Sequence, residues 1–200
     1  MKIIGISGTN GSGKDTIGHM LAERHGYLFV SVTDLLRDEA RKRGLPVERE
    51  HLREISAEWR RESGLGALVD KAVDLFNQNP DKYKGLVMAS MRNPGEADRI
   101  HELKGIIVWA DADARVRYER IQAHAGERGR AEEDTKTFEQ FLSEEEAEMN
   151  RSGDEATLDM SSVKDRSDVF LHNNDNDIDA FKDYVEQDLI YTGFIEAVKP

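Results

Sequence analysis

The amino-acid sequence predicts an α/β fold in which helices cover both faces of a five-stranded parallel sheet. Short apolar runs alternate along the chain with longer segments of helical periodicity, an order typical of parallel sheets. The runs at 2–7, 85–89 and 105–110 carry apolar residues at successive positions, as expected of strands that are buried on both faces. Two further runs, 27–31 and 168–172, complete the predicted sheet.

Composition narrows the class of protein. The 200 residues are enough for one domain with a buried core. The formal net charge of −12 argues against nucleic acid as the main partner, because such binding depends on Lys and Arg side chains that neutralise phosphates. A small phosphorylated ligand needs only a local basic cluster and is compatible with an acidic chain.

Two features of the sequence bear on the compartment, and the absence of cysteine does not by itself fix it. No apolar run approaches the roughly 20 residues of a membrane span, and the first residues lead directly into a strand without a signal peptide. The chain has no cysteine, which excludes disulfides and thiolate metal sites. We therefore expect a cytoplasmic protein with no membrane partner, and the sequence leaves the oligomeric state open.

The loop after the first strand carries the clearest motif. Residues 8–16 read Gly-Thr-Asn-Gly-Ser-Gly-Lys-Asp-Thr and have the G-x-x-x-x-G-K spacing of a phosphate-binding P-loop between a strand and a helix. The glycines let successive backbone N–H groups point into one concavity, and the start of the helix adds partial positive charge. Lys14 is expected to reach the outer phosphates of a nucleotide.

One position departs from the strict motif. Asp15 stands where Ser or Thr usually supplies a hydroxyl to the metal, and Thr16 comes one place later. Both are therefore candidate Mg²⁺ ligands, partly through water. The residues expected to bind the nucleotide in this loop are Gly8, Asn10, Gly11, Ser12, Gly13, Lys14, Asp15 and Thr16.

Roughly 45 residues of helix are predicted between the second and third strands, far more than a simple crossover needs. Thr33 is predicted to cap a helix that ends near Arg43, and two more helices are predicted at 47–62 and 67–77. The connection is either an elaborate crossover packed on the core or an insertion, about 33–80, that holds a second substrate.

Arginines stand at the two ends of this connection. Arg37 follows the second strand and Arg92 follows the third, and the carboxyl ends of parallel strands form one rim, which also presents the P-loop. Two guanidinium groups at that rim suit a second phosphate-bearing ligand. We expect Thr33, Asp34, Arg37 and Arg92 to bind it. The alternative is that each arginine is a surface residue paired with carboxylates.

The chain after the fourth strand is strongly charged. Residues 123–165 are predicted to form either a flap that closes over the phosphates, with Arg128 and Arg130 at its edge, or an exposed helical hairpin. The acidic run 143–146 is predicted to be a solvated helix face. Asn173, at the end of the fifth strand, is expected to lie beside the nucleotide base, although a plain Asn- and Asp-rich turn has the same composition.

The motifs together resemble the P-loop kinases of the nucleoside monophosphate kinase type over about residues 1–190. The Gly-Lys-Asp-Thr loop is similar to that of some deoxynucleoside monophosphate kinases. Residues 31–37, Ser-Val-Thr-Asp-Leu-Leu-Arg, resemble an adenylate-kinase segment whose arginine holds the acceptor phosphate, and 90–94 fall where those enzymes have a second such arginine. Residues 118–121 fall where they carry Asp-Arg-Ile, and the whole chain looks closest to an archaeal-type adenylate-kinase-like family.

The resemblance implies an α/β P-loop NTPase three-layer sandwich with a helical NMP-binding insertion and a lid. The implied partition is a core of 1–32, 81–122 and 166–190, an insertion at about 33–80, a lid at about 123–165 and a tail at 191–200. The sequence departs from the pattern of this family at two positions. Ala89 stands where these kinases have an Asp that orders water around magnesium, and His124 stands where they have a later arginine.

The implied activity is transfer of the ATP γ-phosphate to a nucleoside or deoxynucleoside monophosphate, with Mg²⁺ as cofactor. Phosphoryl transfer asks mostly for positioning and charge neutralisation, and the attacking phosphate oxygen is already anionic, so no general base is needed. The residues expected to act in the transfer are Lys14, Arg92, Arg120, Arg128 and Arg130.

Two other functions stay open. A small-molecule kinase of the dephospho-CoA kinase type would transfer to a hydroxyl and would need a base, for which Asp34 is the candidate. A nucleotide-hydrolysing switch or assembly factor would need no acceptor. Ala89 favours that function, and the pair Arg37 and Arg92 disfavours it.

Overall fold

A computed structural model describes residues 1–123, 136–150 and 153–197. Its centre is one parallel sheet with the strand order β2-β3-β1-β4-β5. The strands are β1 (Lys2–Gly8), β2 (Tyr27–Ser31), β3 (Gly85–Ala89), β4 (Ile106–Asp111) and β5 (Val169–His172). The predicted five-stranded parallel sheet is therefore confirmed.

Helices occupy both faces of the sheet. In chain order they are α1 (Lys14–His25), α2 (Val32–Lys42), α3 (Arg49–Ser63), α4 (Ala67–Asn77), α5 (Pro94–Glu102), α6 (Ala114–Ala123), α7 (Phe138–Met149), α8 (Met160–Asp165) and α9 (Ile178–Tyr191). A short 3₁₀ turn, Pro80–Lys82, precedes β3. Among the helices described, none combines the length and the apolarity that a membrane crossing requires.

The alternation of side chains along β1 separates two hydrophobic clusters. Ile4 and Ile6 point to the face covered by α1 and α9, where they pack in one cluster with Leu21 and Val185. Ile3 points to the opposite face. Because both faces of β1 are covered, its buried residues are apolar at successive positions.

The helices between β2 and β3 pack on that second face. Leu36 of α2, Ile55 of α3 and Leu68 of α4 belong to the same hydrophobic cluster as Ile3 and Met88 of the sheet. The connection is therefore packed on the core, as the crossover alternative expected, and its remaining surface lines a cleft that is described below.

One predicted helix start is corrected, and one further helix was not predicted. Thr33 does not cap α2, since Ser31, two residues earlier, holds the N-cap position and the helix begins at Val32. The helix α5 was not predicted. Its N-cap Asn93 accepts a hydrogen bond from the Gly95 N–H, and Glu96 completes a capping box, so the Asn-Pro-Gly-Glu order was a local signal for a helix start.

Candidate functional site

The loop between β1 and α1 has the backbone of a phosphate-binding turn. Gly8, Gly11 and Gly13 have φ values of 136°, 82° and 95°, a region that side chains rarely adopt. A Cβ atom at Gly8 would stand 1.9 Å from the carbonyl oxygen of Ala110 on the neighbouring strand. The loop can therefore approach β4 this closely only with glycine at that position.

Lys14 lies within this loop. Its ammonium group donates to the Thr9 carbonyl oxygen at 2.5 Å, and the side chain is 9% exposed. Burial, with the nearby charge of Arg92, lowers the pKa of Lys14 to about 7, while Asp15 and Glu148 act in the opposite direction. The loop therefore holds a desolvated cation that an anionic ligand would favour in its charged form.

The side chain after β5 braces the loop. Asn173 is buried, and its amide Nδ2 donates to the Ser12 carbonyl oxygen at 3.0 Å. The Ser12 hydroxyl is buried and has no hydrogen-bond partner among the described residues. A buried hydroxyl usually has a partner, so this loop has a polar group that a ligand could satisfy.

Arg120 of α6 lies beside the same part of the chain. Its guanidinium donates to the carbonyl oxygens of Asn173 at 2.8 Å and Asp175 at 2.5 Å, and its Nε donates to Asn176 at 3.0 Å. It therefore holds the loop between β5 and α9. Arg128 and Arg130 lie outside the described residues, as does His124, so the predicted roles of the two arginines stay predictions.

The start of α1 holds the two predicted Mg²⁺ ligands. Asp15 is exposed, and Thr16 is half-buried one residue further along the helix. Within the described residues no three His, Cys, Asp or Glu side chains form a group that could hold a metal ion. Ala89 at the end of β3 is fully buried and leaves no carboxylate there.

The backbone around Arg92 is fixed from both sides. The Arg92 N–H donates to Glu96 Oε2 at 2.8 Å, and its carbonyl oxygen accepts from the Asp159 N–H at 3.0 Å. Two residues earlier, Ser90 has a φ of 70° and donates its N–H to the Ile6 carbonyl oxygen at 3.0 Å. These contacts hold Arg92 in place and leave its side chain partly exposed in the cleft.

A buried ion pair lies under this segment. Glu96 accepts from Arg60 Nη2 at 2.6 Å and Nε at 3.1 Å, and both side chains are almost fully buried. Arg60 also donates to the Ala156 carbonyl oxygen at 2.8 Å. The other carboxylate oxygen of Glu96 binds the backbone N–H groups of Arg92 and Asn93. The pair therefore joins α3 to the segment that carries Arg92.

A cleft of about 1060 Å³ lies between α2, α3, the end of β3 and α7. All four residues predicted to bind the acceptor line it, namely Thr33, Asp34, Arg37 and Arg92. Arg37 pairs with Asp34 at 2.9 Å, and Arg92 pairs with Glu148. Each predicted arginine therefore lies in the cleft and also has a carboxylate partner.

The prediction of a solvated face for residues 143–146 holds for Ser143 and Glu146, which are exposed, and is corrected for Glu144 and Glu145, which form ion pairs. Glu144 lies 3.3 Å from Arg49 and 2.7 Å from Lys136, and Glu145 pairs with the buried Arg117. Only Glu146 of the three successive glutamates is exposed. Glu144 and Glu145 therefore face cationic side chains of the site, which the local composition of the acidic run does not indicate.

Two further residues that the sequence analysis did not single out support the P-loop. Asp111, at the end of β4, accepts from the Thr9 hydroxyl at 2.7 Å. Arg117 of α6 donates to the carbonyl oxygens of Ala112 at 2.6 Å and Asn10 at 3.3 Å. The signal for Asp111 was its place at a strand end beside β1; nothing local distinguished Arg117 from its neighbouring arginines.

Comparison with known proteins supplies the family. A family model described as an AAA domain, AAA_18, matches residues 4–153. A UPF0200 protein from Pyrococcus abyssi is 32% identical over 154 residues, which cover 74% of this chain and 78% of that protein. A UPF0200 protein from Pyrococcus horikoshii is 33% identical over 152 residues, with the same coverage of 74% and 78%.

Comparison with solved structures supplies the fold. Shikimate kinase from Acinetobacter baumannii in complex with shikimate matches with a TM-score of 0.52 and 17% identity over 95% of this chain and 92% of that chain. Shikimate kinase from Bacteroides thetaiotaomicron matches with a TM-score of 0.57 and 11% identity over 94% and 97%. The fold is therefore the α/β fold of P-loop kinases.

Proposed function

We propose that this chain, which belongs to the AAA domain family (AAA_18) and to the UPF0200 protein family, transfers the γ-phosphate of ATP to a nucleoside or deoxynucleoside monophosphate. The kinase-like fold and the P-loop support nucleotide-dependent phosphoryl transfer. The observation that carries the choice of acceptor is the single cleft that both Arg37 and Arg92 line.

The donor nucleotide would be held by the P-loop. Backbone N–H groups of residues 11–14 and the Lys14 ammonium would bind its phosphates, and binding would restore the charge that burial disfavours on Lys14. Asp15 and Thr16 offer oxygen donors at the start of α1, which fit Mg²⁺, an ion that binds few protein oxygens together with phosphates and water. When bound, Mg²⁺ would neutralise phosphate charge.

The acceptor phosphate would lie between Arg37 and Arg92. Guanidinium groups bind phosphate oxygens bidentately, and Arg92 is already positioned because its backbone is bonded on both sides. A phosphate would compete with Asp34 for Arg37 and with Glu148 for Arg92. The attacking phosphate oxygen is anionic, so the reaction needs no protein base.

A coupled assay tests the proposal. The purified full chain is incubated with ATP, Mg²⁺ and each member of a panel of nucleoside and deoxynucleoside monophosphates, and ADP formation is followed. We expect at least one monophosphate to raise the rate well above that with ATP alone. ATP hydrolysis that no monophosphate changes would contradict the proposal and favour a nucleotide-hydrolysing switch.

Substitutions in the cleft test the acceptor site. Each charge-assisted hydrogen bond to a phosphate contributes about 1.5–3 kcal/mol, so Arg37→Met and Arg92→Met should each raise the acceptor KM by about tenfold to a hundredfold. Arg43→Met is the matched control, because Arg43 ends α2 and pairs with Glu39 and Glu58 on the surface. Equal effects of all three substitutions would contradict the assignment.

Substitution of Asp15 tests its proposed place near the metal. Asp15→Ala should raise the Mg²⁺ concentration needed for half-maximal turnover, because one of the two oxygen donors at the start of α1 is lost. Unchanged Mg²⁺ dependence would remove Asp15 from the metal site.

A second candidate is transfer to a hydroxyl, with Asp34 as the base. The observation that favours it is the position of Asp34 in the same cleft, with its side chain 64% exposed. This function predicts turnover with a hydroxyl acceptor that lacks a phosphate, and loss of that turnover in Asp34→Asn. Monophosphate-dependent turnover that survives Asp34→Asn would exclude it.

A further inference from the structure

Glu148, in the last turn of α7, lies between the P-loop and the acceptor cleft. It lines a small cavity of about 20 Å³ that Thr9 and Asn10 of the P-loop also line. It equally lines the large cleft that contains Arg37 and Arg92. The Glu148 side chain is 8% exposed and close enough to Lys14 to influence its charge state. This carboxylate therefore occupies the place where donor and acceptor phosphates would meet.

Arginines surround this carboxylate. Arg53 Nη2 donates to Glu148 Oε1 at 2.9 Å, Arg49 lies 3.3 Å from the same oxygen, and Arg92 binds Oε2. Although burial alone would raise the pKa of Glu148, Arg92, Arg49 and Arg53 hold it below the usual range. The group is therefore a carboxylate anion and a poor candidate for a general base.

The charges of this cluster favour a different anion. Arg53 and Arg92 share the Glu148 carboxylate, which carries a single charge and two oxygens, whereas Arg49 also pairs with Glu144. A phosphate monoester is a dianion near neutral pH, and its three terminal oxygens can each accept from a guanidinium fork. It would neutralise both arginines, whereas Glu148 neutralises one.

We propose that Arg53 and Arg92, with Arg49 at the edge, form a binding site for a phosphate dianion, and that Glu148 occupies this site until a phosphorylated ligand displaces it. The proposal deepens the proposed function, on which it rests for the identity of the ligand. It adds Arg53 to the acceptor site and makes Glu148 a competitor built into the chain.

Binding of inorganic phosphate tests the site without any turnover. Isothermal titration of the full chain compares wild type, Glu148→Gln and Glu146→Gln. Because Gln keeps the shape of Glu148 and removes its charge, phosphate should bind Glu148→Gln about tenfold more tightly than wild type, a change equivalent to 1.4 kcal/mol. Glu146→Gln makes the same charge change on the exposed side of α7 and should bind phosphate like wild type.

A double variant identifies the arginine. Adding Arg53→Met to Glu148→Gln should abolish the gain in phosphate affinity. Equal or weaker phosphate binding by a folded Glu148→Gln protein would overturn the proposal, as would a gain that persists without the Arg53 guanidinium.

A second measurement uses the wild-type chain, in case Glu148→Gln does not fold. Saturating phosphate should make backbone amides in the last turn of α7 exchange hydrogen faster, because the contacts of Glu148 are released. Amides of α5, which touches Arg92 through Glu96, should not change. Slower or unchanged exchange in α7 would overturn the displacement of Glu148.

The outcomes also separate this proposal from the proposed function. If Glu148→Gln binds phosphate more tightly but the chain turns over no monophosphate, the anion site is supported and the proposed reaction is contradicted. If the chain turns over a monophosphate and Arg53→Met leaves the acceptor KM unchanged, the proposed reaction is supported and the anion site is contradicted.

Discussion

Two glutamates, Glu96 and Glu148, bind Arg92 in different ways. Glu96 accepts from the Arg92 backbone and binds the buried Arg60, whereas Glu148 binds the Arg92 side chain at the edge of an open cleft. Arg60 and Glu96 are exposed by 1% and 0%, while the arginine partners of Glu148 are exposed by 24% to 48%. Glu96 and its arginine partner are both enclosed by protein, whereas Glu148 is itself 8% exposed but has arginine partners that reach solvent.

Whether a dissolved anion can replace a carboxylate depends on the exposure of the arginines that the carboxylate binds. Both oxygens of Glu96 have hydrogen-bond partners and the side chain is 0% exposed, so losing the pair with Arg60 leaves a buried charge without compensation. The partners of Glu148 can turn to a dissolved anion instead. We infer that Glu96 positions Arg92 and that Glu148 competes for it.

The largest expected effect concerns the enclosed pair. Arg60→Met leaves Glu96 buried without its cation and should lower the free energy of unfolding by about 3–5 kcal/mol. Arg61→Met is the control, because Arg61 pairs with Asp154 at an exposed site and should cost at most about 1 kcal/mol. Urea unfolding measures both. Similar losses for the two variants would erase the distinction between enclosed and exposed pairs.

The next effect concerns the charge of Lys14. Its pKa of about 7 lies below the ordinary value of 10.5, so the folded state binds fewer protons than the unfolded state between these values and this group's contribution to stability rises with pH there. Bound ATP phosphates favour the charged form, so ATP binding should take up a proton. Its affinity should then fall by up to about tenfold per pH unit above pH 7.

Titration calorimetry between pH 6.5 and 9, in buffers of different ionisation enthalpy, measures this proton uptake. Glu148 helps to keep Lys14 charged, so Glu148→Gln should move the loss of affinity to lower pH. Lys14→Met removes the titrating group, so this variant should bind ATP weakly at every pH. A wild-type affinity that does not depend on pH would show that the Lys14 pKa is not lowered.

The smallest effects concern the starts of the two helices that carry these glutamates. Both α5 and α7 begin with a capping box, at Asn93 and Thr137. Thr137→Ala should lower the free energy of unfolding by about 1 kcal/mol. Asn93→Ala should cost more, about 2 kcal/mol, because the Asn93 amide also donates to two carbonyl oxygens at 2.7 Å. Equal losses in urea unfolding would mean that these two bonds contribute nothing.

The sheet and the P-loop could be predicted because their signals are contiguous. Each strand is a short apolar run, and Gly8 to Lys14 lie within one segment, so local pattern was sufficient. The rim on which Arg37 and Arg92 stand also followed from the parallel order of the strands. These features depend on near neighbours in the chain or on a general rule of topology.

The remaining contacts of the site join distant segments. Arg60 and Glu96 are 36 residues apart, and Thr9 and Asp111 are 102 residues apart. The acidic residues of α7 have the composition of a solvated face, and only the tertiary structure turns Glu148 toward Arg53 of α3 and toward Arg92, which follows β3. The periodicity of a charged helix does not predict which surface of the protein the helix will pack against.

The arginines that line the cleft of this acidic chain have a consequence for the rate of ligand binding. A chain with a net charge of −12 repels an approaching anionic nucleotide at long range, while arginines of the cleft attract it at short range. Salt screens the long-range repulsion first, since the screening length is about 8 Å at physiological ionic strength. The association rate should therefore rise with moderate salt and fall only when the contacts within the cleft are screened as well.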